Sequence, residues 1–275
     1  MEARTEKLKI DLLNWYKKNK RAFSWRKTTD PWQILLIETL SQQTQLERAN
    51  KYFDKFLIQF PSPKSMANSS LKIILKMWSG LGYNNRAKRL YEASKIIEKK
   101  GFDQIYPNFE VLPGVGPYTK SAILSFAYGE KVLAIDTNIE RIIQRYFGLK
   151  DTKNFFIENS KYFLHNVESR DINQAFMDFG SSVCKGSNPM CDMCPIEKDC
   201  SKYFSDSKSS REKFKGSNRE VRGKIIKLLI REGHVNNQKL FEEIDEDAEK
   251  VHKALEGLKK DNLIKFKKNN IIEIT

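Results

Sequence analysis

All four cysteines of this 275-residue chain stand in one short run, CKGSNPMCDMCPIEKDC. They are Cys184, Cys191, Cys194 and Cys200, spaced C-x6-C-x2-C-x5-C. Four soft thiolates this close together can close around one metal centre, and a centre of that kind would fix the fold of the loop that holds it. An all-thiolate set suits zinc or an iron–sulfur cluster. Zinc ribbons favour two C-x2-C pairs across a longer gap, and this run has a single such pair.

The start of the chain, MEARTEKLKIDLLNWYKKNK, is charged and lacks the apolar core of a signal peptide. No stretch approaches the roughly 18 apolar residues of a membrane helix. A cytoplasmic, nucleoid-associated location is therefore expected, and in a reducing compartment clustered cysteines read as metal ligands rather than disulfides. Lys and Arg number 49 against 35 acids, a formal net charge of +14. Charge of that size favours a polyanionic partner, nucleic acid first, against the alternative of a merely well-solvated surface.

Apolar residues recur at three and four spacing in IDLLNWY, in ILLIETLSQQTQLERANKYFDKF and in SLKIILKMW, which predicts helices. Turns are expected at Pro61–Pro63, Gly80–Gly82 and Pro113–Gly116. The chain to residue 203 reads as nearly all helix. Residues 204–218 are polar and rich in Ser and Lys, a linker by composition. Residues 219–275 then read as three helices, REVRGKIIKLLIREG, NQKLFEEI and DAEKVHKALEGLKKDN. Two β-prone runs follow, around an Asn-Asn turn. That is the order of a winged helix, whose third helix enters the major groove when it binds DNA. A protein-contact or dimerisation module would have the same order.

The segment LPGVGPYT precedes an apolar helix. Its glycines, Gly114 and Gly116, let backbone amides approach a phosphate, and the helix N-terminus adds its partial positive charge. Such a turn docks on a DNA backbone without reading sequence. A tight helix–helix turn is the plainer alternative.

LPGVGPYT, then AIDTNIERI, then the cysteine run resemble, in order and spacing, the helix-hairpin-helix base-excision glycosylases with a 4Fe-4S cluster. That group includes endonuclease III, MutY-type adenine glycosylases and archaeal thymine mismatch glycosylases. The resemblance covers roughly residues 8–203. It implies a two-lobed, mostly α fold over residues 1–203, a 4Fe-4S cluster on the four cysteines, and a loop around Lys185 and Lys198 held against DNA phosphates. It implies that Asp136 is the catalytic acid, that Asn138 orients it, and that Gly114, Gly116 and Thr119 grip DNA. Bifunctional relatives carry a lysine directly before the hairpin Thr. Here that residue is Tyr118, so no Schiff base with the sugar can form, and a monofunctional enzyme is expected, with Tyr118 as an orienting group.

WRKTTDPWQILLIETLSQQTQ and MWSGLGYNNRAKRL resemble the corresponding adenine-glycosylase segments. By those matches Glu38 faces the adenine, Arg26 contacts it once flipped, and Gln43 and Tyr83 enter the helix at the orphan base. Independently, Glu38 lies in the apolar run ILLIETL, where a lone acid is costly unless used or paired, and a buried carboxyl suits a general acid. Ile37, Ser41, Asn84 and Thr137 depart from the adenine-glycosylase pattern. So do residues 219–275, which stand where that family usually has a β-rich domain that reads 8-oxoguanine. The expectation is a monomeric enzyme that removes adenine opposite 8-oxoguanine or guanine from double-stranded DNA. The alternatives are a thymine or uracil mismatch glycosylase, and a non-catalytic DNA-binding protein.

Overall fold

A computed structural model describes residues 1–204 and 214–275. The helices are α1 (Glu2–Asn19), α2 (Pro31–Ser41), α3 (Leu46–Gln59), α4 (Pro63–Ala67), α5 (Leu71–Trp78), α6 (Asn85–Ile105), α7 (Pro117–Tyr128), α8 (Thr137–Phe147), α9 (Lys153–Leu164), α10 (Ser169–Ser182), α11 (Asn218–Glu232), α12 (Asn237–Glu243) and α13 (Ala248–Lys260). The strands are β1 (His234–Asn236), β2 (Ile264–Lys267) and β3 (Ile271–Ile274). The chain is mostly helical, as its periodicity predicts. The linker expected over 204–218 falls largely on 205–213, outside the described residues. Among the described residues no helix is long and apolar enough to cross a membrane.

The chain divides into two compact units, residues 1–35 with 115–208 and residues 36–114 with 209–275. The first unit is built on α1, α8, α9 and α10. Leu8 and Leu12 of α1 pack with Ile139, Ile143, Phe163, Phe176 and Phe179 in one fully buried cluster. Edge-to-face pairs such as Phe163–Phe176, 5.2 Å between centroids, fix how its rings interlock. Ile196, between the third and fourth cysteines, is buried in the same cluster, so the cysteine loop is anchored in the core.

The second unit packs α3 to α6 around Phe53, Phe56, Ile74, Trp78 and Leu90. Ser70 caps α5 by accepting from the Ile73 amide. The expected single helical run from Ile34 to Phe56 is broken into α2 and α3 at residues 42–45. Arg86 takes the carbonyls of Thr39, Leu40 and Gln42 as acceptors, so the end of α2 is bound by a side chain rather than by a further turn.

In the same unit, the expected order of three helices and a hairpin is present. Ser217, Asn236 and Asp247 cap α11, α12 and α13 with their side chains. The sheet has order β1-β3-β2, all antiparallel. Strand β1 was not expected from the sequence, because a three-residue HVN with one buried side chain gives no alternation to read.

Candidate active site and cysteine centre

Asp136 is the N-cap of α8. One carboxylate oxygen accepts from the Asn138 and Ile139 amides at 2.9 and 2.8 Å. The other accepts from Asn138 Nδ2 at 2.6 Å. A helix N-terminus favours an anion, and these three bonds fix the direction in which the carboxylate points. Asn138 Oδ1 in turn accepts from Arg141 Nη2 at 2.7 Å. Arg141 also donates to Gly180 O at 2.8 Å and to Cys184 O at 2.9 Å. The carboxylate is thus tied through two side chains to the start of the cysteine loop. Burial lowers the pKa of Arg141. Gly180 lets α10 come this close: a Cβ there would stand 2.6 Å from Asn138 Cβ. Arg141 and Gly180 escaped sequence reasoning; AIDTNIER contains the arginine, but nothing in it says where the guanidinium goes.

The four cysteines line one pocket with Ile142, Val183, Pro189, Met190, Ile196 and Phe204. Arg145 Nη1 lies 3.4 Å from Cys184 Sγ, and the Lys202 amide donates to Cys200 Sγ at 3.4 Å. Burial pushes the Cys194 thiol up to about 11, with the other three cysteines adding to it. Among the described residues no three His, Cys, Asp or Glu side chains gather as one ion would need. With N–H donors aimed at sulfur and an apolar lining, the donor set fits an iron–sulfur cluster.

Arg26 is a correction. Its guanidinium holds both Asp178 oxygens at 2.7 and 2.8 Å and donates to Arg21 O. Arg21 also bonds Asp178. Asp178 is only 1% exposed, so its charge requires these partners, and Arg26 is committed to it rather than presented to a base. Burial opposes ionisation of Asp178, but Arg26 and Arg21 outweigh it and hold the carboxyl below its usual range.

Thr119 is 3% exposed, so its side chain faces inward. Gly116 is the N-cap of α7 and provides no side-chain cap, with Pro117 following. A Cβ at Gly116 would meet nothing within 4 Å, so the turn is open there. Tyr118 is half-buried in the first turn of α7.

In the second unit Glu38 is buried, 6% exposed, among Leu36, Ile37 and Leu40 of α2. Gln43 and Tyr83 both adopt left-handed backbone, φ +55° and +49°, a conformation that costs a non-glycine residue free energy. Arg86 holds both in place. Besides the carbonyls before Gln43, it donates to Leu81 O and Gly82 O before Tyr83, each at 3.2 Å, and to Thr44 Oγ1. Burial lowers its pKa to about 10. The Trp78 indole N–H also donates to Gly82 O at 3.0 Å. Gly114, at φ +87°, accepts at its carbonyl from Gln42 Nε2 at 3.3 Å. Sequence reasoning missed Arg86, although it stands in the GLGYNNRA segment itself.

Residues 37–161 match the HhH-GPD superfamily base excision DNA repair protein family. An adenine DNA glycosylase of Buchnera aphidicola is 35% identical over 71% of this chain and 58% of its own length. The chain therefore spans less than three fifths of that relative. An adenine DNA glycosylase of Mycobacterium tuberculosis is 30% identical over 92% of this chain and 89% of its own length. Among solved structures, a thermostable thymine-DNA glycosylase superposes with a TM-score of 0.67 at 29% identity, covering 73% of this chain and 97% of its own.

Proposed function

Because the chain belongs to the adenine DNA glycosylase family within the HhH-GPD superfamily, we propose that it removes adenine mispaired with 8-oxoguanine or guanine by hydrolysing the N-glycosidic bond of a flipped nucleotide. The observation that carries this reading is the Asp136 carboxylate, aimed by three hydrogen bonds at the N-terminus of α8. A carboxylate fixed in this way faces little reorganisation when positive charge develops on the sugar.

The net charge of +14 draws the protein to duplex DNA through counterion release. Tyr83 and Gln43, on loops stiffened by Arg86, intrude into the stack, and the target nucleotide leaves it. Glu38 delivers a proton to the adenine ring, which makes the base a better leaving group. Asp136 stabilises the oxocarbenium-like sugar, following the two-carboxylate logic of sugar hydrolysis. Water completes the reaction and leaves an abasic site. Tyr118 is no amine, so the strand is not cut through a Schiff base.

Cys184, Cys191, Cys194 and Cys200 would hold a 4Fe-4S cluster. Bound there, its contribution would be structural: the four cysteines would fix the loop whose Cys184 carbonyl receives Arg141 and on which Lys198 would meet phosphate. The protein acts as a monomer in the cytoplasm, at the nucleoid, where its DNA substrate lies.

Glu38→Gln and Asp136→Asn should each abolish adenine release while leaving DNA binding largely intact. Near-normal release by either variant would remove that residue from the chemistry. A second reading, excision of thymine opposite guanine, draws on the likeness to the thymine-DNA glycosylase structure.

A further inference from the structure

Several cations of the C-terminal module answer to its own acids. Arg222 pairs with Asp261, Lys224 with Glu246, and Arg231 with Glu232 and Glu243. Lys239 pairs with Glu232, and Lys265 and Lys267 with Glu273. Arg219, in the first turn of α11, is different. Among the described residues it has no carboxylate partner, and its hydrogen bond runs from Nη1 to Tyr83 Oη, at 2.7 Å. Its guanidinium also lies over the Tyr83 ring and over Phe214, 4.9 Å from each centroid.

Arg219 and Tyr83 line one open cleft of about 690 Å³, with Gln43, Thr44 and Ser217 also on its walls. The volume is in the range of ligand sites. Two of the walls are residues held in left-handed backbone, a kind of strain that gathers at functional sites. Among the described residues the Nη2 and Nε of this arginine fork take no acceptor, and the fork is a donor-only group. Its base-edge counterpart is a pair of adjacent acceptors, and in DNA that pair is O6 and N7 of guanine. The Tyr83 ring beneath the guanidinium and the Tyr83 hydroxyl on Nη1 hold the fork at the cleft wall.

We infer that Arg219 is a specificity residue: the cleft of Gln43, Tyr83 and Arg219 receives the unpaired guanine opposite the excised nucleotide, and the Arg219 guanidinium reads its O6–N7 edge. The module then contacts DNA through α11 rather than through its third helix. This inference rests on the placement of Tyr83 and Gln43 at the orphan base in the proposed function, but not on catalysis. 8-Oxoguanine carries hydrogen on N7, so it presents one acceptor fewer along that edge and gains less from Arg219.

The test is binding of the full chain to duplexes that carry a tetrahydrofuran abasic analogue, read by fluorescence anisotropy at fixed salt. The opposite base is guanine, 7-deazaguanine (no N7 acceptor) or 2-aminopurine (no O6). Wild type should bind the guanine duplex roughly tenfold more tightly than either analogue, within the range of one bidentate arginine–guanine contact. Arg219→Ala and Arg219→Lys should bind all three within about twofold of each other, because lysine keeps the charge but loses the fork. An Arg219→Ala protein that retains the tenfold ratio, or a wild type with no preference, overturns the inference. So does an equal loss on all three duplexes, which would make Arg219 a phosphate contact or a prop for Tyr83. Adenine release by wild type is scored separately: its absence, with the binding ratio intact, would refute the glycosylase reading alone.

Discussion

Gly180 tests how Asp136 is held. It sits in the last turn of α10, and an added Cβ would lie 2.6 Å from Asn138 Cβ and 3.0 Å from Asn138 Cγ and Oδ1. Carbon atoms in contact rest at ~3.5–4.0 Å, so an alanine there must displace Asn138 by about 1 Å. The asparagine cannot swing aside freely, because its side chain bonds both Asp136 and Arg141. Two effects on stability oppose each other. Alanine is better than glycine in a helix by ~1 kcal/mol, while forced overpacking costs ~1–3 kcal/mol. The net change should stay within about 2 kcal/mol, a shift of a few degrees in the melting midpoint. Misplacing a catalytic group by 1 Å costs on the order of 10²-fold in rate. Gly180→Ala should therefore melt almost normally yet release adenine roughly 10- to 100-fold more slowly under single-turnover conditions with enzyme in excess. A variant at wild-type rate would refute the claim that Asn138 fixes the catalytic carboxylate.

Three further outcomes follow from buried polar groups and from Tyr118. Arg86→Met strands the carbonyls of Thr39, Leu40 and Leu81, while Gly82 O keeps the Trp78 indole N–H; it should destabilise the protein by roughly 3–5 kcal/mol in denaturant unfolding, since each stranded buried acceptor costs ~1–3 kcal/mol and some regain water. The Asp178 carboxyl is held below its ordinary value of 3.8 by Arg26 and Arg21 against the opposing effect of burial. Its stabilisation is thus complete above about pH 4 and is lost as pH falls through the lower folded value. Asp178→Asn should cost roughly 3 kcal/mol at pH 7 and flatten the acid limb of stability against pH; an unchanged acid limb would contradict the assignment. Tyr118→Lys should confer strand cleavage and a borohydride-trapped adduct, and failure to trap one would count against the placement of Tyr118.

What the sequence made legible was whatever is periodic or local. The helices follow from three- and four-residue spacing, the cysteine run is read within a few positions, and Asp136 is picked out by the resemblance of AIDTNIER to the glycosylase motif. What escaped it was every long side chain that closes a distant contact. Arg86 reaches 47 residues back to Thr39, Arg141 reaches Cys184, and Arg26 and Arg21 find Asp178 more than 150 residues away. No spacing rule reports such partners. They explain why the run from Ile34 to Phe56 breaks, and why Arg26 is a structural cation rather than a contact to adenine. The same holds for Arg219, whose contact with Tyr83 depends on how α11 packs, not on anything in FKGSNRE.

Single-turnover base release from four duplexes, adenine opposite 8-oxoguanine, adenine opposite guanine, thymine opposite guanine and uracil opposite guanine, tests the central claim most directly. The account predicts that the wild-type protein releases adenine from the first two and leaves thymine and uracil in place, with Glu38→Gln and Asp136→Asn inactive on all four. Release of thymine or uracil with adenine untouched would contradict it.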